Sequence, residues 1–358
     1  MILKYLRAED FRLCEAAECS FEPGVNVICG SNAQGKTTLL EAAWLLTGQR
    51  SFRARADREL VRFGKDRAHI SAIVEDEGRD LACELELAGR RSVSVNGVKK
   101  VPLPLRAIMF SPADLDLVRG GAAERRRFMD AAVSQLRPAY AKALGEASRL
   151  LEHKTRILKD RDPAMMAVLE DFSLRYAAAC ARVIYYRNAW CRLLAQTAPG
   201  IHADVSGSGE RLEVRYKTVT GIDPEGKRPA DIYPLLVEHW QSHREAEIAA
   251  GSCLSGAHKD DIELFIDGAP ARGFASQGQA RTAALSLKLA ERDISTSDTG
   301  TPPVLLLDDV LSELDARRQE YVLNNISGGQ VLITCCEDGG ISSRTGGKVM
   351  TVEGGRVL

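Results

Sequence analysis

The 358-residue sequence has no apolar run that approaches the length of a membrane span. Its opening residues, Met1-Ile2-Leu3-Lys4-Tyr5, also lack the charged-then-apolar order of an export signal. A cytosolic protein with no membrane contact is expected. Paired cysteine spacing is missing too: nine cysteines, an odd number, are scattered, and Cys335 and Cys336 are adjacent rather than two residues apart. This disfavours a zinc site or a disulfide framework and leaves most thiols as small buried apolar groups. Net charge is almost absent, with 48 Lys/Arg against 49 Asp/Glu, so any attraction to a polyanion must come from a local patch. The remaining composition, 45% apolar and 27% charged, is that of a globular chain long enough for two or three domains.

Against this background one stretch stands out. Gly30-Ser31-Asn32-Ala33-Gln34-Gly35-Lys36-Thr37 follows the apolar run Val25 to Cys29 and leads into the helical pattern Thr38 to Leu46. Strand, glycine-bounded loop and helix in that order let several backbone N–H groups converge on a polyphosphate while the helix start adds the positive end of its dipole. Lys36 is then placed for the outer phosphates and Thr37 for a magnesium ion, with Thr38 in the same first turn. A second run, Val304 to Leu307, ends in Asp308-Asp309, as a buried strand carrying carboxylates at its tip would. Asp308 is expected to hold Mg2+ together with Thr37, and Asp309 to act as general base on water, giving ATP hydrolysis with Lys36.

Elsewhere, alternation between Ile2 and Glu22, in His69 to Val74, Leu81 to Leu87 and Ser92 to Val95, and the Asn96-Gly97 turn predict an antiparallel sheet, with a strand at Arg106 to Phe110. From Ser111 the pattern turns helical. Ala122 to Leu136, Pro138 to Asp160 and Ala164 to Ala198 predict three long helices, the last closed by Pro199-Gly200, and a further helix is expected near Tyr233 to Ala250. Between Arg119 and Arg192 there are 15 Lys/Arg against 8 Asp/Glu, an excess of one sign in a neutral chain that favours a polyanion such as DNA. Arg125, Arg126 and Arg127 are its sharpest run. Arg53, in the basic connection after the loop helix, reads as part of a solvated turn.

Ala275-Ser276-Gln277-Gly278-Gln279 precedes the amphipathic pattern Ala280 to Asp293, a second helix start suited to an anion. Two such helix ends are the arrangement of ABC-type ATPases. Ser276 to Gln279 resembles their signature element, Ser312-Glu313-Leu314-Asp315 their D-loop, and Gln330 to Thr334 the strand before their switch position. Over its whole length the chain resembles the RecF family of bacterial recombination mediator ATPases. The resemblance rests on Asn32 to Thr37, Ser51-Phe52-Arg53, Phe110-Ser111-Pro112, Arg125 to Asp130, Ser255-Gly256 with His258 and Asp260-Asp261, and Leu306 to Asp315. Departures from the family pattern are Ala33, Ala113, Ala122, Ala257 and Lys259.

The resemblance implies an α/β fold: an ABC-type P-loop ATPase head with mixed sheets, formed by residues 1–115 and 251–358, and an inserted mainly helical lobe, 116–250. It implies a homodimer in which Ser276, Gly278, Gln279, Ser312 and Asp315 meet the ATP of the opposite subunit. It further implies a clamp on double-stranded DNA at gaps or junctions, with slow ATP hydrolysis, acting with RecR and RecO to load RecA. The rival readings are a transporter-coupling ATPase, which would carry a histidine where Thr334 stands, and another chromosome-structuring ATPase of the SMC kind, whose insertion would be a long heptad coiled coil.

Overall fold

The alternation that starts at Ile2 folds as a six-stranded antiparallel sheet. Its order is Cys14–Ser20, Ile2–Phe11, Ala68–Asp76, Arg79–Ala88, Arg90–Val95, Val98–Lys99. Ile70, Ala72 and Val74 are buried beside Cys83, Leu85 and Leu87, so the two-residue period gives the sheet one core face. Asn96 and Gly97 both take positive φ, 49° and 77°, which gives a two-residue hairpin the twist its strands require.

The continuous apolar runs behave differently. Ala107–Phe110, Val304–Asp308 and Val331–Cys335 are buried at every residue, as strands covered on both faces must be. They form a parallel sheet in the order Lys348–Glu353, Val25–Cys29, Val331–Cys335, Val304–Asp308, Ala107–Phe110, and Arg356–Val357 adds an antiparallel edge. Because these strands run the same way, Cys29, Asp308 and Cys335 end at one edge. Gln330, fully buried, stitches the two sheets together: its Oε1 accepts from Leu3 N at 2.8 Å, and its Nε2 donates to the carbonyls of Leu3 at 2.8 Å and Glu22 at 3.1 Å.

The structure, a computed structural model, describes residues 1–207, 209–326 and 328–357. It divides into two units, Met1–Asp114 with Glu291–Leu358, which holds both sheets above, and Leu115–Ala290. The second unit is built on the helices Ala122–Leu136, Pro138–Asp160, Leu169–Ser206 and Pro229–Ala250. Pro199 does not close its helix, which runs on to Ser206. Proline forfeits one N–H bond, but Ala198, His202 and Val205 continue the buried face across it, and packing outweighs the loss. The next helix starts at Pro229, where proline suits the first turn and Asp231 accepts from Arg228 N at 2.9 Å. Residues 251–290, expected with the head, fall in this second unit, because Asp261–Ile266 pairs antiparallel with Leu212–Lys217.

Polar groups organise the interior of this unit. Arg187, buried in the long helix, donates to Asp130 Oδ1 at 2.9 Å, to Tyr140 Oη at 3.0 Å and to the Ala257 carbonyl at 2.6 Å. Asp260, equally buried, accepts from Tyr216 Oη at 2.7 Å and Val219 N at 3.2 Å. The N–H of Ala257 donates to Cys180 Sγ at 3.4 Å, a bond proline could not make.

A candidate anion site at the edge of the parallel sheet

Val25–Cys29 delivers the chain to the sheet edge, and the helix Lys36–Leu45 carries it away. Between them the loop closes tightly. A Cβ on Gly30 would lie 2.4 Å from the Val352 carbonyl oxygen, so only glycine fits there. Gly35 caps the helix at φ 107°, and Gln34 pins the loop from outside, accepting from Gly354 N at 2.6 Å and Gly355 N at 2.9 Å. Ser31, Asn32 and Ala33 are exposed, and Cys336 donates to Asn32 Oδ1 at 3.1 Å.

Lys36 is 7% exposed, and among the described residues its ammonium bonds only the carbonyl oxygens of Gly30 at 2.6 Å and Ser31 at 3.0 Å, with no carboxylate paired to it. The helix it begins has no acidic side chain in its first turn to neutralise the positive end of its dipole. A buried cation without a counter-anion, beside an open helix start, is a fit for phosphate.

The acidic half faces the same edge. Thr37 Oγ1 donates to Asp308 Oδ1 at 2.8 Å, and Thr334 Oγ1, from the strand between Val25–Cys29 and Val304–Asp308, donates to the same oxygen at 2.8 Å. The hydroxyl and carboxylate of Thr37 and Asp308 are oxygen donors of the kind magnesium takes. Asp309 follows with φ 52°, its N–H held by Thr334 Oγ1 at 2.9 Å and its carboxylate without a partner among the described residues. Thr334 therefore fixes both aspartates, a role that its sequence position alone did not reveal.

Behind the loop helix sits a group that sequence reasoning missed. Glu41 is fully buried and accepts from Arg12 Nε at 2.9 Å and Nη2 at 2.7 Å, from Arg53 Nη2 at 2.6 Å, and from Ser51 Oγ. Burial alone would raise its pKa, but these donors together hold it below the ordinary carboxylate value. Arg53 is thus part of a scaffold that braces the helix rather than a solvated turn. The motif Ser51-Phe52-Arg53 was the available signal; Arg12, 29 positions before Glu41, left none.

Ser276 and the residues after it belong to the second unit. Ser276 Oγ accepts from Gln279 N at 3.1 Å and Gln279 Oε1 accepts from Ser276 N at 2.8 Å, a reciprocal cap on the helix Gln277–Thr299. Ser276 is exposed there, and Gly278 is half-buried. In the first unit, Ser312 Oγ donates to the Asp309 carbonyl at 2.7 Å, and Asp315 caps Ala316–Asn325 by accepting from Arg318 N at 2.9 Å.

The three arginines part company. Arg125 is 4% exposed and forms two parallel bonds to Asp261, Nε to Oδ1 at 2.7 Å and Nη2 to Oδ2 at 2.8 Å, while Nη1 donates to the carbonyls of Leu117 and Gly120. The expectation that it faces DNA is corrected: its donors are consumed inside the unit. Arg126 donates to the Asp260 carbonyl at 2.7 Å, and exposed Arg127 pairs with Glu124.

Known proteins resemble this chain along nearly its whole length. The family model for the RecF/RecN/SMC N terminal domain matches residues 2–352. A DNA replication and repair protein RecF from Agathobacter rectalis is 36% identical over 347 residues, covering 94% of this chain and 92% of the relative, and one from Bacillus cereus is 35% identical over 355 residues, covering 96% and 94%. A solved structure of the recombination mediator protein RecF with ATPrS superposes with a TM-score of 0.90 at 32% identity, over 99% of this chain and 97% of the other; the corresponding ATP structure gives 0.88 at 30%, over 99% and 96%. An SMC head from Pyrococcus furiosus, at 14% identity and a TM-score of 0.55 over 99% of this chain and 95% of that one, shares the fold of these ATPase heads. Identity of this extent along nearly the whole of both chains is kinship, and the chain belongs to the RecF family.

Proposed function

We propose that this protein is an ATP-dependent DNA-binding clamp of recombinational repair. MgATP draws two copies together on double-stranded DNA at gaps or single-strand junctions, and slow, DNA-dependent hydrolysis lets them part. In this reading the clamp works with RecR, and through it with RecO and RecA, to load the recombinase in the cytoplasm. The observation that carries the reading is one chain with a phosphate-fitting loop opposite two aspartates and a second exposed helix start capped by Ser276 and Gln279. The proteins named above, DNA replication and repair proteins of two bacteria and the recombination mediator RecF solved with ATP or ATPrS, supply its biological setting.

The residues divide the work. Gly30 to Gly35 wrap the phosphates with backbone N–H groups, Lys36 balances their charge, and Thr38 extends the helix start. Thr37 and Asp308 hold magnesium, which when bound neutralises charge on the transferring phosphoryl group. Asp309, whose carboxylate has no partner among the described residues, accepts a proton from the attacking water. Ser276, Gly278 and Gln279 meet the γ-phosphate of the opposing subunit, with Ser312 and Asp315 beside them.

The test is the solution mass of the wild type and Ser276→Arg, each with and without MgATP. Wild type is expected to pass from monomer to dimer with MgATP, and Ser276→Arg to bind ATP with equal affinity yet stay monomeric. A variant that dimerised normally would remove the sandwich.

A further inference from the structure

We infer that the groove between the helices Pro138–Asp160 and Leu169–Ser206 holds nucleic-acid phosphates, the contact first sought at Arg125 to Arg127; this rests on the DNA-binding reading above. The groove has a volume of about 670 Å³ and is lined by Lys142, Arg149, Arg175 and Arg182 against a single carboxylate, Glu146. That carboxylate is already matched by Arg182 at 2.7 Å.

Most other cations of these helices are taken. Lys154 is buried against Glu247 at 2.7 Å, Arg187 is enclosed in its network, and Arg161, at the end of the first helix, donates to the carbonyls of Ile248 and Ala249. Arg156 and Arg192 lie near Glu152 and Glu225. Among the described residues Lys142, Arg149 and Lys159 have no hydrogen-bond or ion-pair partner, and two of those three line this groove. Free, exposed ammonium and guanidinium groups set along a groove are what a phosphate backbone selects.

The geometry suits a backbone rather than bases. Lys142 and Arg149 lie two helical turns apart, as do Arg175 and Arg182, a span of ~10.5 Å, or about three base steps of one duplex strand. Phe172 and His153, their rings 5.8 Å apart and tilted, are the only aromatic side chains among the lining residues, with the Arg175 guanidinium 5.9 Å from the Phe172 ring, so the groove offers charge for a backbone rather than a row of stacking platforms. Binding here is therefore indifferent to sequence and strongly dependent on salt.

The test is fluorescence anisotropy with a fluorescein-labelled 30-base-pair duplex carrying a single-stranded overhang. It is run in MgATP between 50 and 200 mM NaCl on wild type and the double variant Lys142→Gln, Arg149→Gln. Each phosphate contact contributes ~0.9 to the log–log salt slope, so the variant's slope should be shallower by about 1.8 and its affinity at 0.1 M salt lower on the order of 50-fold. ATP-driven dimer mass and DNA-free turnover should match wild type. A wild type that binds the duplex beside a variant with unchanged slope and affinity would overturn the inference and leave the groove to an acidic protein partner. A wild type that ignores the duplex would refute the DNA reading, and the inference with it.

Discussion

Truncating Arg125 to alanine separates a packing role from a DNA-contact role, because the two predict opposite readouts. In the structure its guanidinium makes both bonds to Asp261 and two more to backbone carbonyls. Removal leaves a carboxylate and two carbonyl oxygens without their donor. Breaking one side of a buried pair costs about 3–5 kcal/mol. Here the lower end applies, since the Asp261 side chain keeps 22% exposure and still accepts from its neighbour Ile262 N at 2.8 Å, so water and that N–H relieve part of the charge. About 3 kcal/mol in a unit the size of Leu115–Ala290 corresponds to a fall in melting temperature of roughly 6–12 °C. Scanning calorimetry measures it, with duplex affinity determined well below the transition and expected to be unchanged. Arg127→Ala is the contrast: its side chain is 67% exposed and among the described residues pairs only with Glu124 one turn away, so stability should move by less than ~0.5 kcal/mol. An Arg125→Ala protein that melted with wild type while its DNA salt slope fell by about one would refute the packing account.

Lys36→Met keeps the stem that packs in the site and deletes the unmatched charge, so nucleotide affinity measured by titration calorimetry should vanish; retained affinity would end the phosphate-loop assignment. Asp309→Asn leaves Thr37 and Asp308 in place, and should bind ATP and dimerise while turnover drops roughly 10²–10⁴-fold. Normal hydrolysis by that variant would exclude Asp309 as base. Stability should also depend on pH through His258, whose Nδ1 lies 2.7 Å from Tyr176 Oη and whose Nε2 lies 3.1 Å from the Cys253 carbonyl. Burial, aided by the positive charges of Lys259, Arg126 and Lys154, outweighs that carbonyl and pushes its pKa down to about 4. Between about pH 6.5 and pH 4 the unfolded chain therefore binds the proton first, and stability falls with falling pH by up to roughly 3 kcal/mol. Melting temperatures across this window should decline less in His258→Gln than in wild type, and identical declines would count against a buried neutral ring.

The parts of the site that were legible in the sequence are those written locally. Gly30 to Thr37 carries its own strand, turn and helix start, and the run into Asp308-Asp309 marks a strand tip, because burial on both faces needs unbroken apolar residues. Ion pairs across the fold leave no such trace. Arg125 meets Asp261 from 136 positions away, and Glu41 gathers Arg12, Ser51 and Arg53 from both sides of the loop. A basic run can be read as a patch, but whether each guanidinium faces solvent depends on which carboxylate the topology brings to it. Pro199 shows the same limit for helices: a local breaker yields when buried residues on both sides of it share a face.

Ala33 shows how a side chain with a Cβ can be tolerated within the same loop. Its φ of 65° is left-handed, where a Cβ costs about 1–2 kcal/mol, yet the residue is exposed. Gly30 is different in kind, since its Cβ would sit 2.4 Å from the Val352 carbonyl on the adjacent strand, and relieving that overlap means moving the strand itself. Substitution is thus open where the penalty is a backbone torsion facing solvent and closed where it is a collision with the sheet. The loop can therefore carry an alanine at 33 and keep the curvature that brings its N–H groups and Lys36 to one anion.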